Sequence, residues 1–223
     1  MYKNPYAKLK PSICRPYTEI YLIRHCHPDY RLEKKVGEYH MPLSKIGLKQ
    51  RKFLTKRLLA MPIDKVYSSG LERAQETAAA YLARTGKKMN IDERLDEIHW
   101  KDWYRLKYFN MTEKAREQRL KRHQFLDKEL DKMQTIARRV IADIWRHNRG
   151  RRLALFSHGN FIRALLTGIL DADVVGFLSL EIFQSSVSKI VVDRDGYVKI
   201  SFINDADHLP SPPTEDLYIT LID

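Results

Sequence analysis

The sequence predicts one α/β domain, a mainly parallel sheet with helices on both faces and a closing hairpin. Three observations carry this. Short apolar runs alternate with segments of helical spacing along most of the 223 residues. Two alternating segments near the carboxyl end, Val187–Val192 and Tyr197–Ile203, are joined by Asp193-Arg194-Asp195-Gly196, a hairpin turn. No internal repeat, low-complexity linker or compositional break separates two cores.

Residues 1–18 read as a tail mixing lysines, prolines and polar residues. Glu19–His25 is the first strand, an apolar run that stops abruptly at the cation Arg24 and the imidazole His25. Ser44 supplies an N-cap for a helix over Ser44–Ala60. Lys65–Ser69 is a second strand, opening into a helix from about Leu71 to Thr85 that stops at Gly86. Met89–Ile91 is a short third strand. From about Thr112 to Asn148 the pattern is helical almost throughout, with Leu120, Met133, Ile136, Val140, Ile141 and Ile144 giving parts of an apolar stripe. Arg152–Ser157 is the next strand, followed by helices near Asn160–Leu170 and Ala172–Phe177. After the hairpin, Leu217–Ile222 could add a strand. The body is thus residues 19–209, with a helical insertion at about 104–148 and tails at 1–18 and 210–223.

No apolar run is long enough to span a bilayer, and the amino terminus lacks a segment of signal-peptide length. The cytoplasm is the expected compartment, with no membrane partner. Two cysteines, Cys14 and Cys26, are too few for a disulfide scaffold. The net charge of +12 suggests acidic ligands or nucleic acid. Much of it lies in Lys101–Arg152, interleaved with Glu113, Glu117, Asp127, Glu129 and Asp131, which describes a solvated helix face. No nucleic-acid motif accompanies it, so nucleic acid is not an expected partner. A homodimer is left open.

In parallel α/β sheets, ligands sit at the carboxyl ends of the strands. Arg24-His25, Ser68-Ser69 and Ser157-His158 all fall at such ends, and Ile203–Leu209 is expected to join them. Two histidines and two arginines suit a transferred phosphoryl group. A neutral imidazole such as His25 can attack phosphorus, and water later breaks the phosphorus–nitrogen bond. Arg24 and Arg73 offer forked donors to the phosphate oxygens. His158 adds another donor, and Gly159 lets backbone approach. The leaving oxygen needs a proton from an acid among Asp92, Glu93, Asp96 and Glu97, and spacing alone does not choose.

These stretches together resemble the histidine phosphatase superfamily, in its phosphoglycerate mutase-like branch. The matching residues are Leu22-Ile23-Arg24-His25, Pro42-Leu43-Ser44 with Gly47 and Gln50, and Tyr67-Ser68-Ser69 with Arg73-Ala74 and Glu76-Thr77-Ala78. Ser157-His158-Gly159 and Asn204-Asp205 with His208-Leu209 complete the set. The resemblance implies a three-layer α/β/α fold with His25 as phospho-acceptor. It implies Arg24, Arg73 and His158 as phosphate ligands, beside the phosphate-binding Gly159 read above, and Glu97 as proton donor and later base. A small phosphorylated substrate is implied, with no metal and no organic cofactor. The chain departs from the pattern at Cys26, usually glycine, at His27 and Pro28, and at Lys101. Arg31 stands where many members carry a phosphate-binding asparagine, and is expected to replace that contact.

Competing readings are weaker. His25-Cys26-His27 lacks metal-ligand spacing, and Asp193-x-Asp195-Gly196 lacks the terminal glutamate of a calcium loop. Arg163 reads as an ion pair on its helix, His208 as a structural hydrogen-bonding residue, and His99 as a surface or packing residue. The leading expectation is a metal-independent phosphomonoesterase. The alternatives are mutase-type phosphoryl transfer and a weakly catalytic phosphate-binding module. Basic charge favours multiply charged substrates such as sugar bisphosphates or nucleotides.

Overall fold

The computed structural model describes residues 13–103, 108–122 and 124–210. The expected strand at Leu217–Ile222 and most of the amino-terminal tail lie outside them. Among the described residues six strands form one sheet in the order β3-β2-β4-β1-β5-β6. They are β1 (Thr18–Arg24), β2 (Lys65–Ser68), β3 (Met89–Ile91), β4 (Arg152–Ser157), β5 (Val187–Val192) and β6 (Val198–Asp205). β1 to β4 pair in parallel, and β5 and β6 extend one edge antiparallel. The helices are α1 (Glu33–Val36, a single turn), α2 (Lys45–Leu59), α3 (Glu72–Thr85), α4 (Glu113–Arg122), α5 (Gln124–Arg146), α6 (Gly159–Ile169) and α7 (Val174–Ser179).

Strand periodicity splits the core in two. Ile20, Leu22, Leu153 and Leu155 face α5, α6 and α7, where Leu130, Ala137, Phe161 and Phe177 close on them. Tyr21, Ile23, Ala154 and Phe156 face α2 and α3, packing on Leu54, Leu58, Ala74 and Tyr81. Helices therefore cover both faces, giving the expected three layers.

Most elements fall where the sequence puts them. Helices α4 and α5 fill most of the Thr112–Asn148 stretch, as expected. Ile136 is half exposed rather than in the stripe: the buried face runs Leu126, Leu130, Met133, Ala137, Val140, Ile144. Ile136 sits roughly 100° around the helix from Ala137. α7 starts later than expected, because the Asp173 side chain accepts from Gly176 N–H and caps the helix there. No described helix is long and apolar enough to cross a membrane.

Register sets the site. Arg24 lies opposite Ser157, and Ser68 opposite Phe156. The carboxyl ends of β1, β4 and β2 are therefore level, and the residues that follow each strand emerge side by side.

Candidate active site

The backbone around the end of β1 is held from both sides. Arg24 N–H donates to Ser186 O and His25 N–H to Ser157 O, at 3.1 and 3.0 Å, while His25 O accepts from Ser185 N–H at 3.1 Å. The His25 ring is fixed in turn. Its Nδ1 lies 2.7 Å from the Cys26 carbonyl oxygen. A carbonyl only accepts, so Nδ1 carries the proton and Nε2 the lone pair. Arg73 Nε donates to that Nε2 at 3.3 Å, which requires the same tautomer. Burial, then the charges of Arg73 and Arg24, hold His25 well below the usual imidazole range. The ring is neutral at pH 7.

Three more groups converge here. His158, at the start of α6, has its ring centroid 5.0 Å from that of His25. Its Nε2 lies 2.7 Å from Ser69 Oγ, which also accepts from Leu71 N–H at 3.2 Å. Its Nδ1 is buried without a hydrogen-bond partner. Burial, then His25 and the two arginines, pull His158 well below the ordinary range as well. Arg24 donates through Nη1 to Ile182 O, and its buried Nε has no partner. A Cβ on Gly159 would sit 3.2 Å from the Arg24 Cζ and Nε, so glycine here leaves room for that guanidinium.

The structure sorts the four carboxylates. Asp92 caps the short turn Glu93–Leu95 and takes a two-point bond from Arg94. Glu93 accepts from Tyr39 Oη at 3.4 Å. Asp96 accepts from Gly70 N–H at 2.7 Å. Glu97 Oε1 takes Ile98 N–H at 3.1 Å and Asn160 N–H, in the first turn of α6, at 3.0 Å. Burial raises the Glu97 pKa, and Arg24 and Arg73 oppose it. Such a carboxyl can hold a proton nearer neutrality than an exposed one, as a general acid must.

The departures from the family pattern are accommodated. The Cys26 side chain turns into the α2–α3 core, and its backbone N–H donates to Thr77 Oγ1 at 2.9 Å, so it does not crowd the space between His25 and His158. His27 donates its N–H to Gln50 Oε1 at 2.7 Å, and its Nδ1 lies 2.8 Å from Ser44 Oγ. A Cβ on Gly47 would lie 2.1 Å from His27 O, so glycine is what lets α2 press against this loop. His25, Cys26 and His27 thus face three different neighbours. Arg31 stands apart: its side chain is 81 % exposed and its fork is taken by Asp29 through two 2.8 Å bonds. Lys101 is exposed in an irregular segment beside the buried Trp100.

Asn204–His208 supports the site from behind. Asn204 Oδ1 accepts from Phe183 N–H at 2.6 Å, and His208 Nε2 lies 2.9 Å from Ser185 Oγ. Both brace the Phe183–Ser186 segment that holds Arg24 and His25. Arg163 donates to Leu180 O and Asn160 Oδ1 and lies over Trp103 and Phe177.

Sequence reasoning put Ser69 at its strand end without a role, read His99 only as a surface or packing residue, and did not single out Glu38. Ser69 orients His158. Glu38 accepts from Arg73 Nη2 through Oε1 at 3.2 Å, and its backbone oxygen accepts from Nη1 at 2.9 Å. His99 lies 3.4 Å from Glu38 Oε2. Ser69 was legible as the last residue of its strand motif, whereas Glu38 and His99 sit in irregular segments whose contacts no spacing reports. Among the described residues, Cys14, Asp193 and Asp195 are close enough to share a metal ion. The Asp193 carboxylate, however, takes N–H groups of Cys14, Asp195 and Tyr197, which is hairpin-turn chemistry.

The family model described as histidine phosphatase superfamily (branch 1) matches residues 20–205. Phosphoglycerate mutase-like protein 4 of Arabidopsis thaliana is 31 % identical over 165 residues, 67 % of this chain and 70 % of that one. Putative phosphoserine phosphatase 2 of Hydrogenobacter thermophilus is 26 % identical over 162 residues, 67 % of this chain and 79 % of that one. The solved structure of YhfR from Bacillus stearothermophilus has a TM-score of 0.67 at 24 % identity, covering 86 % of this chain and 98 % of its own. The chain therefore belongs to branch 1 of the histidine phosphatase superfamily and is an enzyme of the histidine phosphatase type.

Proposed function

We propose that the protein hydrolyses a small phosphomonoester through a phosphohistidine on His25, without a metal. One observation carries this reading: the unprotonated Nε2 of His25 accepts from Arg73 Nε, with the buried, unpartnered Arg24 Nε and His158 Nδ1 beside it. Unsatisfied buried polar atoms are costly, and a phosphoryl group would satisfy both at once.

In the first step the Nε2 lone pair forms the N–P bond as the P–O bond to the alcohol breaks. Glu97 gives its proton to the leaving oxygen. Arg24, Arg73 and His158 hold the equatorial oxygens, where charge gathers. With His158 Nε2 taken by Ser69 Oγ, Nδ1 is the ring nitrogen left to face phosphate. In the second step Glu97, now a carboxylate, takes a proton from water as the water attacks phosphorus. The P–N bond breaks and neutral His25 is restored. Gly159 serves by seating Arg24, and Arg31, committed to Asp29, has no part in this scheme.

Purified protein should release phosphate from an aryl phosphate with chelator present, and His25→Ala should lose that release. Binding of phosphate without turnover would overturn the hydrolytic reading in favour of a binding module. Bisphosphate-dependent interconversion of 3- and 2-phosphoglycerate would overturn it in favour of a mutase.

A further inference from the structure

We infer that the leaving-group side of this site takes a small phosphomonoester whose alcohol carries a cationic amine, and rejects one carrying a second acid. The inference rests on the phosphatase reading above and adds the substrate class to it.

A cavity of about 350 Å³ lies beside the phosphate-holding groups, lined by Glu38, Tyr39, Leu71, Asp96, Glu97 and His99. Among the described residues its lining holds three carboxylates and neither lysine nor arginine. Two of those carboxylates are spoken for: Glu97 by the proton it transfers, and Asp96 by the Gly70 N–H. Glu38 is different. Its side chain is 39 % exposed, and its partners are Arg73 Nη2 at 3.2 Å and His99 Nε2 at 3.4 Å.

Arg73 cannot serve two anions fully. Its Nε already points at the His25 Nε2 where phosphorus must sit, while its two Nη atoms are held by Glu38. Once a phosphate dianion draws on that fork, the Glu38 carboxylate loses much of its strongest partner and faces a new negative neighbour. A substrate ammonium a few bonds from phosphorus would lie between the two and neutralise both. A substrate carboxylate or second phosphate would instead add a third negative group to the same wall. Tyr39 and Leu71 keep the cavity small. The chain's overall positive charge draws anions from a distance, but the groups lining the cavity decide which of them fits.

Three phosphates of matched length separate the readings: O-phosphoethanolamine, 2-hydroxyethyl phosphate and phosphoglycolate, ending in ammonium, hydroxyl and carboxylate. At pH 7.5 we expect kcat/KM to fall in that order, by about tenfold or more from first to last, the size of one partly screened charge contact. Glu38→Gln should compress the spread to about threefold, and Glu38→Asp should retain the order. Equal rates across the series, or preference for phosphoglycolate, would overturn the inference while leaving the phosphatase reading standing. If none of the three is turned over, their dissociation constants measured by calorimetry answer the same question. The order ammonium, hydroxyl, carboxylate supports the inference, and any other order defeats it.

Discussion

Arg73 Nε points at His25 Nε2 from 3.3 Å, so the arginine touches the proposed nucleophile as well as the space a phosphoryl group would enter. In the resting site that donor occupies the single Nε2 lone pair, and attack requires it to turn from the ring to the phosphate oxygens. It also suppresses protonation of the ring there. The two functions need the same planar group, because Nε and the two Nη atoms act in different directions.

Arg73→Lys should therefore behave almost as a deletion. A lysine ammonium is one point charge and cannot face both His25 and the phosphate oxygens. Steady-state kinetics on an aryl phosphate should show kcat/KM reduced about 100-fold or more, the usual loss for one transition-state donor. Retention of more than a third of the activity would contradict the dual role.

The pH dependence of kcat should lean to the acid side. His25 is held well below the usual imidazole range by burial and by Arg73 and Arg24, so it stays neutral as pH falls through 6.5. Glu97 is raised by burial, so its proton persists above the ordinary carboxyl range, and activity declines only as pH climbs past that raised value. With an alkyl phosphate the descending limb should vanish in Glu97→Gln, and kcat should drop about 100-fold or more. An ascending limb at pH 6.5 that persists in Glu97→Gln would show that the nucleophile is not protected as described.

Much of the site was legible in the sequence because strand ends are local facts. Arg24, His25, Ser69 and His158 each follow an apolar run, and parallel register brings those ends level without further information. The Gly159 role needed coordinates, since its missing Cβ serves Arg24 from another strand. Glu97 could not be chosen from spacing, because four carboxylates share one short irregular stretch. Burial sets Glu97 and Asp96 apart from Asp92, which pairs outward with Arg94, and its bond to the first turn of α6 sets Glu97 apart from Asp96. Glu38 was invisible for a related reason: its partners, Arg73 and His99, are far along the chain. Ile136 shows the limit of counting apolar residues, since only a whole buried face distinguishes the stripe from a neighbour one residue away.

Stability should fall in mild acid. The buried His25 and His158 are held well below 6.5, and His208 is lowered to about 4, chiefly by burial. Below pH 6.5 the unfolded chain takes up protons that the folded one refuses, so unfolding is favoured as pH drops. Glu97 and Asp96 work oppositely, because their folded states keep a proton above the unfolded value, but they are two groups against four, His27 being lowered as well. The Tm should be level from pH 8 to 7 and decline steadily from 6.5 toward 4, less steeply in His208→Asn. A Tm unchanged down to pH 5 would contradict the burial of neutral imidazoles.

Cys26 should be chemically silent. Its side chain is fully buried, and its thiol is pushed up to about 12 by burial, so almost no thiolate exists at neutral pH. Iodoacetamide on the native protein, followed by peptide mass spectrometry, should label Cys14 alone. Labelling of Cys26 faster than global unfolding would place its thiol in solvent and contradict its burial.

The most direct test is to quench the enzyme in alkali during turnover of a phosphomonoester and map the phosphorylated residue. The account predicts a phosphohistidine, stable in alkali and lost in acid, on the peptide containing His25 and absent from His25→Ala. Phosphate found on His158, on a serine or on a carboxylate, with His25 unmodified, would contradict it.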